Sequence, residues 1–506
     1  MSDLMRMTGM YSGMDTEAVI QSLVSAKAKK VTDLKNDQKK LEWKQNIWQD
    51  LNSKIYNLYS KTLSNLRLTG GYAKKSTTVS DPTKATVVAN GNAVDGTQTL
   101  KVNKLAVAKY ITGGKVTSAN GLKMKSEYAV GVIDPNLVGS KFNVKAGEKE
   151  TAIEITADMT VADFVNKLKD AGVNASFDEE NQRFFIGAKK TGTENSFELS
   201  VTEYAGGSSD QALAALGLNQ RGGAMVLDAQ DAEIELNRAS FTSSTNSFNI
   251  NGLTVEATGV TDGEITINTK TDYDAIYNTI KDFISEYNEI VNEVYSRYNP
   301  DSSKKYWKYD MLTDEEKESM SDDEVEAWED NIKESLLRKD TSLGKVLNCL
   351  TGSITKGFEI NGETKYLYQF GIGTLNYFEA ADGERKSLHI NGDEDDEYTA
   401  EKKDDLMKAL TSDTEGTIEF FATFCKDMYD RLHDTMTQVT DYSSLYKVYD
   451  DKRLKIEYDD YTKKIKEAED KLSAYEDKWY KKFSDMEVAL SKLQSQQNTI
   501  SSMLGM

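Results

Sequence analysis

Two histidines, His389 and His433, and two cysteines, Cys349 and Cys425, are the whole supply of imidazole and thiol in these 506 residues. A hydrolytic triad needs a histidine beside its nucleophile, and a zinc site needs clustered ligands. Neither histidine sits at such a spacing. Gly113-Gly114-Lys115 lacks the upstream glycine and the hydroxyl after lysine that a phosphate cradle requires. Gly371-Ile372-Gly373 has no third glycine at the dinucleotide spacing and reads as a bend between strands. The run Asp393-Glu394-Asp395-Asp396-Glu397 could attract Ca²⁺, but it lacks the alternating ligands and central glycine of a calcium loop, so it reads as a solvated surface loop. The two thiols read as small buried hydrophobes. No catalytic residue, metal ligand or cofactor is assigned.

The residues that demand a partner are apolar and periodic. Leu34, Leu41, Trp48 and Ile55 recur every seven positions, with Leu51 and Leu58 three residues after the last two. Near the other end the same interval joins Tyr458, Ile465, Leu472, Trp479, Met486, Leu493 and Ile500. A strict seven-residue repeat is the mark of a left-handed coiled coil. The second seam position is mixed (Tyr461, Ala468, Tyr475, Lys482, Ala489), and Phe483 and Leu490 widen the stripe. Trp48 and Trp479 fit bundle packing or recognition anchors, and their helical spacing favours packing.

The elements that carry these seams are long helices. No glycine or proline interrupts Met14 to Thr69, or Thr417 to Leu504, and the chain holds three prolines in all. The seams can pair with each other or with other subunits. Between them, 77–268 reads as β-rich: Thr77–Val88, Thr97–Val107 and Ser247–Ala257 alternate, punctuated by Asn-Gly and Asp-Gly pairs of the hairpin type. One helix, capped by Thr160 and stopped at Gly172, interrupts the block, followed by a strand pair at Asn174–Asp178 and Arg183–Gly187. A helical period returns with Ile276, Ile280, Phe283, Ile284, Tyr287, Val291 and Val294. Over 311–340, 12 acids stand against 4 bases, with capping boxes at Thr313…Glu316 and Ser321…Glu324, which predicts short solvated helices. Phe358–Asn376 reads as strand.

A net charge of −21 argues against nucleic acid and against an anionic membrane surface as partners. No apolar run reaches the ~18 residues of a spanning helix, and the first twenty residues lack the apolar core of a cleaved signal. With 38% hydrophobic residues, the chain is expected to be elongated and multi-lobed.

Three segments resemble the flagellar hook-associated protein 2 family: Ser12-Gly13-Met14-Asp15-Thr16 after Gly9, the stretch Asn246–Val255 with its Ile250-Asn251-Gly252, and the helix from Asp272 through Tyr287-Asn288 to Val291. Leu312-Thr-Asp-Glu-Glu-Lys, Trp328, Leu336-Leu337-Arg338 and Gly371-Ile372-Gly373 followed by Lys386-Ser-Leu388 also fit, in the right order. The resemblance implies an elongated α+β multi-domain protein. Terminal coiled-coil helices (1–42 and 446–506) join a helical leg (43–76 and 269–445), an inner β-rich head lobe (77–112 and 226–268) and an outer one (113–225). It implies a non-enzymatic cap at the distal end of the filament, promoting flagellin polymerisation. Implied partners are its own copies in a ring-like homo-oligomer, flagellin, hook-associated proteins at the filament base and a flagellar export chaperone. Export by the flagellar secretion system, without a cleaved signal, is implied too. A hook–filament junction adaptor, or a surface adhesin acting through the head lobes, is the alternative. The expected contacts to sister subunits or flagellin are Leu34, Leu41, Trp48, Ile55, Ile465, Leu472, Trp479, Met486, Leu493 and Ile500.

Overall fold

The computed structural model describes residues 12–300, 309–376, 378–381 and 383–504. Residues 9–11 of the opening motif and Trp307 lie outside them. The chain forms two units, one from its two ends, bounded at Tyr72 and Ile276, and one from Ala73–Ala275.

In Ala73–Ala275, alternating strands close two separate cores. A five-stranded antiparallel sheet runs in the order Lys75–Val79, Ile265–Thr271, Gly96–Lys104, Ala232–Leu236 and Ala239–Ser243. With the three-stranded sheet Ser247–Ile250, Leu253–Ala257 and Ala85–Ala89 it encloses Leu100, Val102, Ile234, Phe248 and Val255. Asn251 and Gly252 both take positive φ (46° and 82°) in the turn of Ser247–Ala257, the left-handed pair that a two-residue hairpin requires. The stretch Thr77–Val88 is two strands rather than one. Pro82 cannot donate to a ladder, and Asp81 accepts from the Thr83 amide and hydroxyl to make the turn between them.

The second core holds Phe142, Phe164, Leu168, Phe184 and Ile186. It lies among a four-stranded sheet that includes Arg183–Gly187 and Asn174–Asp178, a three-stranded sheet around Lys141–Ala146, and the helix Val161–Asp170. Thr160 and Asp163 cap that helix reciprocally, as their i, i+3 spacing predicts, and its buried face is Val161, Phe164, Val165 and Leu168.

In the unit built from the chain ends, the helix Tyr273–Tyr298 buries all seven periodic residues from Ile276 to Val294. They meet the helix Thr414–Thr437, where Phe424 packs edge-on against Phe283, Phe420 and Phe424 edge-on against Phe358, and Phe421 lies tilted against Phe370. The capping boxes at Thr313 and Ser321 both form, opening helices Asp314–Glu318 and Asp322–Ser335. Phe358–Asn376 is only partly strand: Phe358–Ile360 and Glu363–Lys365 pair as a hairpin, and a 3₁₀ turn, Leu367–Phe370, interrupts before Ile372–Gly373 pairs with His389–Ile390. Gly371, at φ 70°, makes the bend.

The acidic run is less free than its composition suggests. Lys281 reaches Asp393 at 2.5 Å and Asp395 at 2.6 Å, and Asp396 accepts from His389 Nδ1 at 2.7 Å. Burial acts to raise the Asp396 carboxyl, but the His389 bond and the Tyr398 amide outweigh it and hold the carboxyl below its ordinary range. Cys425 is fully buried beside the Tyr72 hydroxyl, and burial pushes its thiol up to about 12. Cys349 is half-buried, near Thr435.

Candidate functional site

The features that need a partner, the two heptad seams, come together as one antiparallel pair. Asp15 caps the N-terminal helix Thr16–Asn57 by accepting from the Ala18 amide. The C-terminal helix, Asp451–Leu504, runs back along it. At 1.5 Å per residue its 54 residues make a rod of about 80 Å. The register holds from Gln38 and Thr462 as far as Ser12 and Glu487: Ser12 bonds Glu487, Glu17 accepts from Tyr480 at 2.6 Å, Lys35 pairs with Glu469 at 2.6 Å, and Gln38 donates to Thr462 at 2.7 Å. Steps forward along one helix match steps back along the other, so a single chain pairs its own ends.

The helix Thr414–Thr437 stops well short of Asp451, although neither glycine nor proline stands between them. Side chains break it instead. The Thr440 hydroxyl accepts from the amides of Tyr442 and Ser443, and Asp451 accepts from the Ser444 amide and hydroxyl. These local bonds compete with the helical ladder and reverse the chain. Asn52 then locks the turn to the N-terminal helix: its amide donates to the Tyr446 carbonyl at 3.2 Å and its oxygen accepts from the Val448 amide at 3.0 Å. Asn52 is buried and was not singled out by periodicity, because a polar residue one position after Leu51 carries no apolar signal. Asn52→Ala leaves that carbonyl and amide buried without partners, which is expected to cost about 1–3 kcal/mol. Intrinsic tryptophan emission in urea measures it cleanly, since every tryptophan lies outside Ala73–Ala275. An unchanged midpoint would show that the turn holds without Asn52.

The seam residues fall into three groups. Leu41, Trp48, Ile55 and Ile465 are buried within the one chain, Trp48 stacking on Tyr449 at 5.0 Å and 6°. Leu34, Leu472, Trp479 and Met486 are half-buried. Leu493 and Ile500 stand 60% and 57% exposed. Apolar surface is therefore covered at the base of the pair and open towards the C-terminal end.

Below the pair, the N-terminal helix passes into a π-helical stretch, Leu58–Leu63. The wider turn carries the Tyr59 hydroxyl to His433 Nδ1 (2.7 Å) and the Tyr429 hydroxyl (3.0 Å), and Thr62 donates to Glu286 at 2.6 Å. One turn earlier, Lys54 reaches Glu293 at 2.8 Å, and Arg297 reaches the same carboxylate at 2.8 Å. Burial acts to raise Glu293, but these two cations prevail and keep it below the usual carboxylate range. Among the described residues no group of three or more His, Cys, Asp or Glu could hold a metal ion. This arrangement braces the foot of the helix pair through partly buried hydrogen bonds and ion pairs.

Residues 12–109 match the family described as flagellar hook-associated protein 2 N-terminus, and 229–495 the one described as its C-terminus. The flagellar hook-associated protein 2 of Halalkalibacterium halodurans is 26% identical over 397 residues, 73% of each chain. That of Thermotoga maritima is 26% identical over 383 residues, 72% of this chain and 56% of the relative's length. In fold, the chain is similar to the D1-D2-D3 domains of the flagellar cap protein FliD from Escherichia coli, at a TM-score of 0.52 and 18% identity, over 82% of this chain and 99% of that one. The likeness is one of α+β multi-domain architecture. With the C-terminal match alone covering more than half of its residues, this chain belongs to the flagellar hook-associated protein 2 family.

Proposed function

We propose that the protein caps the distal end of the bacterial flagellar filament as a ring-like homo-oligomer and promotes flagellin folding and polymerisation beneath it. In this reading 1–42 and 446–506 are the stem, and 43–76 with 269–445 the leg. The inner head lobe is 77–112 with 226–268, and the outer is 113–225. The protein works by binding, confinement and conformational exchange, without making or breaking a bond. It leaves the cell through the flagellar secretion system with an export chaperone, meets hook-associated proteins at the filament base, and ends at the tip. The family match favours the cap over a hook–filament junction adaptor.

The observation that carries the reading is the exposed apolar end of the stem. A helix pair that is internally registered yet leaves Leu493 and Ile500 open has surface for neighbours. Gold-labelled protein added to sheared filaments and viewed by electron microscopy is expected at one end only, as a discrete assembly. Labelling along the shaft, or at both ends equally, contradicts a cap.

A further inference from the structure

A shallow cleft between the two terminal helices inverts the charge of the whole molecule. Lys27, Lys30, Lys464 and Lys471 line it, over a floor of Leu34 and Leu472. The chain carries −21, yet residues 27–40 hold six lysines against two aspartates. Glu467 also lines the cleft and engages Lys471 at 3.5 Å. The Lys27 ammonium stands 4.8 Å from the Tyr475 ring centre. Lys27, Lys30 and Lys464 are all exposed. Among the described residues, the ion pairs of the stem engage Lys29, Lys35, Lys39, Lys40, Arg453, Lys463 and Lys471, and leave these three out.

The complementary surface is on the same chain. Helix Asp322–Ser335 buries Ile332 and turns Asp322, Asp323, Glu326 and Asp330 to solvent. Asp322, Glu326 and Asp330 repeat every four residues and form a stripe about 12 Å long, and Lys464 to Lys471 spans about 10 Å. Within one chain this helix sits beside Trp43, whose ring Lys333 overlies at 5.2 Å. Trp43 is 13 positions, about 20 Å, along the N-terminal helix from Lys30. Among the described residues none of Asp322, Asp323, Glu326 and Asp330 pairs with a lysine of its own chain's cleft; Asp330 holds Lys333 at 2.9 Å, and Asp310, which accepts from Trp328, meets the N-terminal helix at Lys40.

We infer that the lysine cleft receives the acidic helix Asp322–Ser335 of a second copy, so that the stem of one subunit and the leg of its neighbour are linked by charge. The inference rests on the homo-oligomer reading above. Apolar floor and charged rim divide the work: the rim sets register and partner choice, and its strength falls with salt.

The test is charge reversal in the full chain, followed by light scattering against protein and NaCl concentration. The variant Lys27→Glu/Lys30→Glu/Lys464→Glu is expected to raise the concentration for half-assembly on the order of tenfold or more. Asp322→Lys/Asp323→Lys/Glu326→Lys should do the same. The protein carrying all six changes should recover assembly, since both faces are then reversed, and circular dichroism of each variant should match the parent. A lysine variant that assembles like the parent overturns the contact and leaves the cap reading standing. Loss in both variants without recovery in the combined one overturns the pairing of these two faces. An oligomer that persists while filament-end binding is lost overturns the second copy as occupant and gives the cleft to flagellin. A parent protein that stays monomeric throughout overturns the inference and the oligomer together.

Discussion

Aspartate at both Leu493 and Ile500 is expected to abolish swimming motility while leaving the isolated protein folded. Both residues continue the heptad of the C-terminal helix, and both are more than half exposed in the single chain. Substituting them removes little buried contact from the monomer, so its thermal transition should stay within about 0.5 kcal/mol of the parent, as for ordinary surface changes. Once a neighbour covers that seam, each carboxylate is trapped in apolar surroundings without a counter-ion, a penalty of about several kcal/mol per charge. Two such charges exceed what a short helical interface can offset. The readout is spreading in soft agar, with electron microscopy of filaments and circular dichroism of the purified variant. Normal filaments on a motile strain would sink the assignment of this end of the stem to assembly.

Trp48→Ala is the counterpart in the N-terminal helix's repeat, at the base of the pair, and there the damage should be to the monomer. Trp48 is 1% exposed, stacked on Tyr449, and flanked by the buried Leu51 and Ile55. Deleting a fully enclosed aromatic side chain costs about 3–5 kcal/mol through lost transfer energy and the cavity left behind. The unit made from the chain ends should therefore unfold at markedly lower urea, followed by the remaining tryptophans, while Ala73–Ala275 carries none to confuse the signal. Trp479, half-exposed on the C-terminal helix, should cost the monomer much less when truncated. Equal losses at the two tryptophans would contradict this division of the paired helices into an internally packed base and an open end.

That division shows where periodicity stops being informative. A seven-residue repeat reports that a stripe is apolar, and it is equally apolar whether the stripe meets its own chain or another. Trp48 and Leu493 obey the same rule. Only the antiparallel register, set by Gln38 with Thr462 and Lys35 with Glu469, assigns one to the interior and leaves the other in solvent. Sequence reading also missed Asn52 and Lys281, because each acts on groups distant along the chain: Asn52 on the backbone around residue 447, Lys281 on carboxylates more than a hundred positions away.

Features whose cause spans four residues or fewer were determined by the sequence itself. The reciprocal caps at Thr160, Thr313 and Ser321, the Asn251-Gly252 turn, and the buried face of Tyr273–Tyr298 all follow from local spacing. They need nothing from the rest of the chain: a hydroxyl three residues before a carboxylate, two residues tolerant of positive φ, an apolar period of 3.6. The tertiary structure decided what depends on closing long loops. It placed Lys75–Val79 against Ile265–Thr271, broke the C-terminal helix within a stretch free of glycine and proline, and tied the acidic loop to Lys281. It also decided which apolar residues the chain buries and which it leaves exposed. Burial is a property of two surfaces meeting, and a one-dimensional pattern describes only one of them.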